Sequence, residues 1–309
     1  MVVPLGIPHS RPCLGVEEQE AASRVVASQH LAQGPEVEAF EHELGQFLGV
    51  PHVVALANGT AALHLSLLFR GAAPGKNVIL PSYSCVSLLN AVAYTGAEAR
   101  LVDSLPNSPD MDLGLASQAS DSQTVAVVLP HLLGRAVALP SATNKKNLIE
   151  DATQSLGARD GRHKVGTRGL AGVFSFYATK MIAGGEAGAL VCRKTRLEHF
   201  CRDRRDYDFR PDWKVRYNYK MSDLTAAILR VQLRRLPAFL ERRRQLASFY
   251  SNELAGLSRA RLLAATPGDA HYRFVLSVSS PVDSLIERLQ GSGLAVRRPV
   301  FRPIHHYLK

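Results

Sequence analysis

From about residue 50 the chain alternates short, continuously apolar runs with stretches whose apolar residues recur every three or four positions. Val53-Val54-Ala55-Leu56 reads as a strand, and residues 60–69 read as a helix with Leu63 and Leu67 on one face. The pattern continues with strands over 77–80 and 99–102, a helix between them over 86–94, and further strands over 125–129, 148–149, 172–176 and 188–192. Strands interleaved with helices in this way predict an α/β fold with a mostly parallel, seven-stranded sheet between helical layers. In such a sheet ligands sit beyond the carboxyl ends of the strands, so the residues that close each apolar run are where chemistry is to be sought.

After residue 220 the pattern changes. Ser222 suits the N-cap of a helix with Leu224, Ile228 and Val231 on one face, and Pro237 is expected to kink or divide that helix. A helix to about 254, a strand near 272–278, a helix over 282–289 and a strand at 294–297 follow. The expected division is an N-terminal arm and large domain over 1–240, with a small C-terminal α+β domain over 241–309. One helix and two strands make a thin sheet, so the small domain reads as incomplete or as leaning on another chain.

Composition narrows the class. The chain has 309 residues, 46% hydrophobic and 21% charged, as expected for a globular protein with a real core. Its apolar runs are strand-sized, and the N-terminus lacks the apolar core of a signal peptide, so a cytoplasmic protein without a membrane span is expected. Cys13, Cys85, Cys192 and Cys201 form no close pair with metal-binding spacing and suit reduced thiols; no metal site is expected. The formal charge of +10 raises nucleic-acid binding as a rival. Residues 202–244 hold thirteen Lys or Arg against six Asp or Glu. This excess reads first as a solvated helix face, since no zinc-finger spacing or aromatic RNA-binding motif accompanies it.

Two strand ends carry reactive groups. Asp151 closes the run Asn147-Leu148-Ile149-Glu150-Asp151, and Lys180 follows 29 residues later, just beyond Val173-Phe174-Ser175-Phe176. Taken singly, each is an ordinary cap or surface residue. Together they suggest pyridoxal phosphate (PLP), which needs an amine to hold its aldehyde and a buried carboxylate to keep its pyridine nitrogen protonated. Asn58-Gly59-Thr60-Ala61-Ala62 joins a strand to a helix through small residues, where backbone amides and the Thr60 hydroxyl can hold a phosphate. Ser175, polar within an apolar run, can donate to the same group.

These residues, with others in the same order, resemble the DegT/DnrJ/EryC1/StrS family of PLP-dependent sugar aminotransferases, of aspartate aminotransferase fold type I. The resemblance runs nearly end to end, through Gln33-Gly34-Pro35, Asn58-Gly59-Thr60-Ala61-Ala62-Leu63, Leu80-Pro81-Ser82-Tyr83 and Tyr94-Thr95-Gly96-Ala97. It continues through Glu150-Asp151-Ala152-Thr153-Gln154, Ser175-Phe176-Tyr177-Ala178-Thr179-Lys180, Gly185-Glu186-Ala187-Gly188 and Tyr217-Asn218-Tyr219-Lys220-Met221-Ser222-Asp223. It implies that Lys180 forms the Schiff base, Asp151 pairs with the pyridine nitrogen and Gln154 contacts the ring's hydroxyl side. Gly59, Thr60 and Ser175 would bind the phosphate. Asn218 would reach the cofactor of a neighbouring subunit, which implies a homodimer with shared active sites.

The implied reaction moves an amino group, by resemblance usually from glutamate, to a keto group of a nucleotide-linked sugar, for polysaccharide or lipopolysaccharide biosynthesis. Lys180 argues against a branch that has histidine there and dehydrates its substrate. Cys85 stands where many members stack an aromatic ring on the pyridine face, and Ala187 replaces a usual glycine. His305 and His306 lie in a segment that resembles a substrate-facing part of the small domain, although a frayed terminus is the plainer expectation. The alternatives are a PLP-binding but catalytically weak or regulatory relative, and a basic nucleic-acid binder.

Overall fold

The computed structural model describes residues 6–279 and 281–308. Nine strands precede the long C-terminal helix: β1 (His52–Leu56), β2 (Asn77–Pro81), β3 (Glu98–Val102), β4 (Thr124–Pro130), β5 (Leu148–Asp151), the short hairpin β6 (Arg159–Asp160) and β7 (His163–Lys164), β8 (Ala171–Ser175) and β9 (Gly188–Cys192). All but the hairpin form one seven-stranded sheet in the order β1-β9-β8-β5-β4-β2-β3. It is parallel from β8 through β3, and only β9 runs against its neighbours. Each strand expected for this sheet is present to within two residues.

Period-two alternation decides which layer each strand residue meets. Val53, Ala55, Phe174 and Phe176 join one core with α2 (Pro35–Leu48) and α7 (Asp223–Glu253), whereas Val54, Leu56 and Val173 join the other with α3 (Gly59–Phe69) and α4 (Ser87–Ala93). Phe40 meets Phe176 edge to face, ring centroids 5.3 Å apart, and both are fully buried. Burial of each such ring stabilises the fold by about 1.5–3 kcal/mol. The remaining helices are α1 (Val16–Ser28), α5 (Leu113–Ala119), α6 (Thr195–Arg204) and α8 (Val282–Gly291). Among the described residues, no helix is long and apolar enough to cross a membrane.

Two motifs far apart in the chain lock α2 to α7. Asp223, the first residue of α7, accepts from the amides of Gly34, Glu36 and Val37 at 2.8, 3.2 and 3.0 Å. A buried carboxylate thus fills the positive end of a helix that Pro35 starts. Ser222 caps α7 as expected, accepting from Thr225 N at 3.2 Å. Pro237, however, does not divide the helix, which runs unbroken for 31 residues. Leu233, Leu236 and Leu240 are buried on either side of the proline and pack both halves against the same core. The expected domain boundary at 240/241 therefore falls inside α7.

Beyond α7 come β10 (Ala260–Leu262), β11 (Leu276–Val278), an antiparallel pair, and α8. The strand expected over 272–278 is only three residues long, because its first part is drawn against the main body. Ala270 N donates to Gly134 O at 2.7 Å, and Arg273 N donates to Leu133 O at 3.2 Å. Gly134, at φ +89°, lies so close that a Cβ there would stand 2.3 Å from Tyr272 N. The strand expected at 294–297 is reduced to a single bridge from Leu294 to Ile7. Ile304 is fully buried and donates its amide to Ser82 O at 2.9 Å, so the segment before His305 and His306 is anchored; the two histidines themselves are exposed.

Candidate active site

The carboxyl edge of the sheet gathers the strand-end residues. Leu56, Gly188 and Ser175 share one register row, and Asp151 pairs with Val173 two residues further in along β8. Asn58 caps α3 by accepting from Ala61 N at 2.8 Å. The amides of Gly59 and Thr60, the next two at that helix end, have no partner among the described residues. A Cβ on Gly59 would stand 3.2 Å from both Ser175 Cβ and Thr153 Cγ2, so the turn, Ser175 and the segment after Asp151 converge. Free amides, a helix dipole and the hydroxyls of Thr60 and Ser175 form an anion cradle. Among the described residues Ser175 Oγ otherwise only accepts a long bond from Tyr177 N, at 3.4 Å.

Asp151 is 6% exposed. Its Oδ1 accepts from Thr153 N at 3.0 Å, while Oδ2 takes no protein donor among the described residues. It can accept from a protonated ring nitrogen. Lys180 follows β8 in a tight turn, where Lys180 N donates to Tyr177 O at 2.8 Å and Ala178 N donates to Gly185 O at 3.0 Å. Its amine is half-buried, forms no hydrogen bond among the described residues, and lies 5.7 Å from the Tyr272 ring centroid. Gln154 Oε1 accepts from Leu133 N at 2.8 Å and thereby holds the turn of residues 132–134, where Leu133 adopts φ +63°.

Two expected residues are less closely joined. Cys85 lies in the loop leaving β2 on the same edge of the sheet, exposed and as a free thiol. Asn218 is exposed too, in a segment held to the body by Ala57 N donating to Tyr219 O at 2.8 Å and Tyr217 N donating to Arg204 O at 2.8 Å. Its side chain has no partner among the described residues of its own chain.

Sequence reasoning missed the frame beneath Asp151. Glu150, 1% exposed, accepts from the amides of Gly166, Arg168 and Gly169 at 3.0, 2.7 and 2.6 Å and pairs with His131 Nε2 at 3.1 Å. Val137 N donates to His131 Nδ1 at 3.1 Å, so that nitrogen is unprotonated and Nε2–H is the donor to Glu150. Burial pushes the Glu150 carboxyl up, but His131 and the amides of Gly169 and Arg168 outweigh it and hold the carboxyl below its usual range. His131 N also donates to Asp151 O at 2.9 Å. Nothing in local spacing marks a pair 19 residues apart.

The basic stretch is not a plain solvated face. Nine of its thirteen cations pair with carboxylates, including Arg202 and Arg205 with Glu41, Arg230 with Glu36 and Glu43, Arg235 with Glu18, and Lys220 with Asp206 and Asp208. Glu18, Glu36, Glu41 and Glu43 come from α1 and α2, while Asp203, Asp206, Asp208, Asp212 and Glu241 lie within the stretch, so much of the charge clamps helices and loops together.

The group these residues fit is PLP. The amides at Gly59 and the open oxygen of Asp151 have the chemistry that a phosphate and a protonated ring nitrogen call for, and the Lys180 amine makes no hydrogen bond among the described residues. Comparison with known proteins agrees. The sequence profile of the DegT/DnrJ/EryC1/StrS aminotransferase family matches residues 12–308. GDP-perosamine synthase of Caulobacter vibrioides is 31% identical over 283 residues, 86% of this chain and 76% of that protein. Among solved structures, the aminotransferase TlmJ from Streptoalloteichus hindustanus superimposes with a TM-score of 0.90 at 28% identity, over 98% of this chain and 87% of its own. Helicobacter pylori PseC, an aminotransferase in pseudoaminic acid biosynthesis, shares the fold, with a TM-score of 0.90 at 24% identity over 98% of this chain and 86% of its own.

Proposed function

The chain belongs to the DegT/DnrJ/EryC1/StrS aminotransferase family, whose enzymes are PLP-dependent, and on that premise we propose that it aminates a keto group of a nucleotide-linked sugar with glutamate as donor. The observation that carries the reading is the convergence of Lys180, Asp151 and the uncapped amides of Gly59 and Thr60 on one edge of the sheet. The 31% identity to GDP-perosamine synthase supports a nucleotide sugar as the acceptor.

Bound here, PLP would supply the carbonyl that takes up the amino group and a ring that stores the electron pair left when a proton leaves the donor carbon. The protein's part is to bind, orient and move protons. Gly59 and Thr60 amides with the hydroxyls of Thr60 and Ser175 would fix the phosphate. Asp151, buried and with one oxygen open, would keep the proton on the ring nitrogen, and Gln154 would border the ring's hydroxyl side. Lys180 would hold the cofactor covalently, then act as the base that takes the proton from the donor's α-carbon and returns it on the other side of the exchange. Cys85 would border the ring face with a polarizable thiol in place of an aromatic.

We further propose that two copies share their sites, with Asn218 reaching the partner's phosphate; its exposed side chain, unpaired in its own chain, supports this. A cytoplasmic role in polysaccharide or lipopolysaccharide precursor synthesis fits the four unpaired cysteines.

The test is the absorption spectrum of the PLP-loaded protein, before and after glutamate, followed by nucleotide-linked ketosugars with the GDP series first. Loss of the cofactor's visible band with glutamate, and its return with one ketosugar, is the expected result. A spectrum that no amino acid changes sinks the proposal.

A further inference from the structure

The C-terminal side of the site carries charge that the amino-transfer reading leaves unused. Tyr272 is buried, its ring centroid 5.7 Å from the Lys180 amine and 3.9 Å from the Arg273 guanidinium. The two cations therefore lie no farther apart than those distances laid end to end. Arg273 Nη1 donates to Tyr272 O at 3.1 Å, and Arg243 Nη1, from α7, donates to the same oxygen at 3.2 Å. Two guanidinium groups share one acceptor.

Neither meets a carboxylate among the described residues. Arg273 Nη2 donates to the Tyr272 hydroxyl at 3.0 Å, and Arg243 Nη1 also faces the His271 carbonyl at 3.4 Å. Arg243 Nε and Nη2 have no partner among the described residues. Asp269, the acid on the same loop, is taken up by the amides of Ala136 and Thr266 and by the Thr266 hydroxyl. Burial holds both arginines below their usual range, and the charge of Arg273 lowers Arg243 further. His9, on the N-terminal arm, is held low by burial and then by Arg273 and Arg297.

Two half-buried like charges repel, whereas Arg135 and Arg205, well-buried guanidinium groups elsewhere in the chain, each meet a carboxylate. An oxyanion between the guanidinium groups would restore the balance. We propose that Arg273, backed by Arg243, forms the subsite that holds an oxyanionic group of a substrate while the substrate's reacting end lies at Lys180. The proposal rests on the aminotransferase reading of the site. A guanidinium fork suits a carboxylate or a phosphate equally in charge and geometry. Both occur in the proposed substrates, as the amino donor's α-carboxylate and as the sugar's diphosphate. The donor is taken as the first occupant, because its carboxylate is one carbon from the amino group that exchanges at Lys180, whereas the sugar ring separates a diphosphate from the keto carbon; the two distances to Tyr272 admit both.

The test is calorimetric binding to the PLP-loaded protein, with glutarate and GDP as probes. The proteins are the wild type, Arg273→Gln, Arg273→Lys and the control Arg242→Gln, which removes an exposed charge beside Arg243. Arg273→Gln is expected to weaken glutarate about tenfold or more, the Lys variant to keep part of the affinity, and GDP binding to stay unchanged. A loss confined to GDP would assign the same subsite to the diphosphate. Unchanged affinity for both probes, or no binding of either by the wild type, overturns the proposal. Should Arg273→Gln lose its cofactor, Arg243→Gln carries the comparison, because it leaves Arg273 stacked on Tyr272. Binding is read without turnover, so a wild type that glutamate cannot convert would defeat the aminotransferase reading while these affinities still decide the subsite.

Discussion

The edge of the sheet and the region after α7 are built by opposite means. Around Asp151, strands buried on both faces meet Glu150 with four donors on one carboxylate, and Asp151, Ser175 and Lys180 sit on or just beyond these strands. After α7, a two-stranded ladder and a helix with no buried residue are tied to the body at a few backbone contacts, at Gly134, Leu133, Ser82 and Ile7. The difference assigns the work. Chemistry that every substrate shares needs atoms held to fractions of an ångström, whereas binding different substrates needs a wall that can adjust.

Mutations can break or sharpen that contrast. Lys180→Ala should have the largest effect, lowering amino transfer by at least about 10³-fold and removing the covalent cofactor band, with folding unchanged; retained turnover in a spectral assay would refute its role. Glu150→Gln should destabilise the frame by about 3 kcal/mol, measured by denaturant unfolding, because four donors lose their charged acceptor. The acid dependence has a definite sign. A carboxyl held below its usual range contributes stability that is present above that range and lost as pH falls through the lowered folded value. The wild type should therefore lose stability on acidification more steeply than Glu150→Gln, and equal slopes would contradict the assignment.

Gly59→Ala should act on the cradle alone. Its Cβ would press on Ser175 and Thr153, both 3.2 Å away, so cofactor affinity in a dialysis assay should fall about tenfold while the melting temperature barely moves. The smallest effect is expected in the thin region. Leu276→Ala, on β11 and 37% exposed, should change stability by within about 0.5 kcal/mol and leave the cofactor spectrum unaltered. A large loss there would mean that the two regions form one cooperative unit.

What could be read from sequence follows the same contrast. The sheet was legible because strands buried on both faces are apolar throughout, and Asp151 and Lys180 stood out as reactive groups at the ends of such runs. α6 was hidden because it is almost wholly polar, with only Leu197 and Cys201 buried. Glu150, His131, Tyr272 and Arg273 acquire their meaning from contacts between segments distant in the chain. Of the acids that neutralise the basic stretch, Glu18, Glu36, Glu41 and Glu43 lie in α1 and α2, and no local spacing announces those. The shortened strand before Val278 had the right composition, but the joint at Gly134 claimed its first residues.

That joint bears on how such an enzyme can change over generations. At position 134 even a methyl group would collide with the backbone of Tyr272, so almost every substitution there is closed. In α8, by contrast, no residue is buried and Val282, Leu285, Ile286 and Leu289 are only partly covered, so most replacements there meet little resistance. Drift can therefore accumulate in the outer elements after α7 while the joint at Gly134 stays fixed.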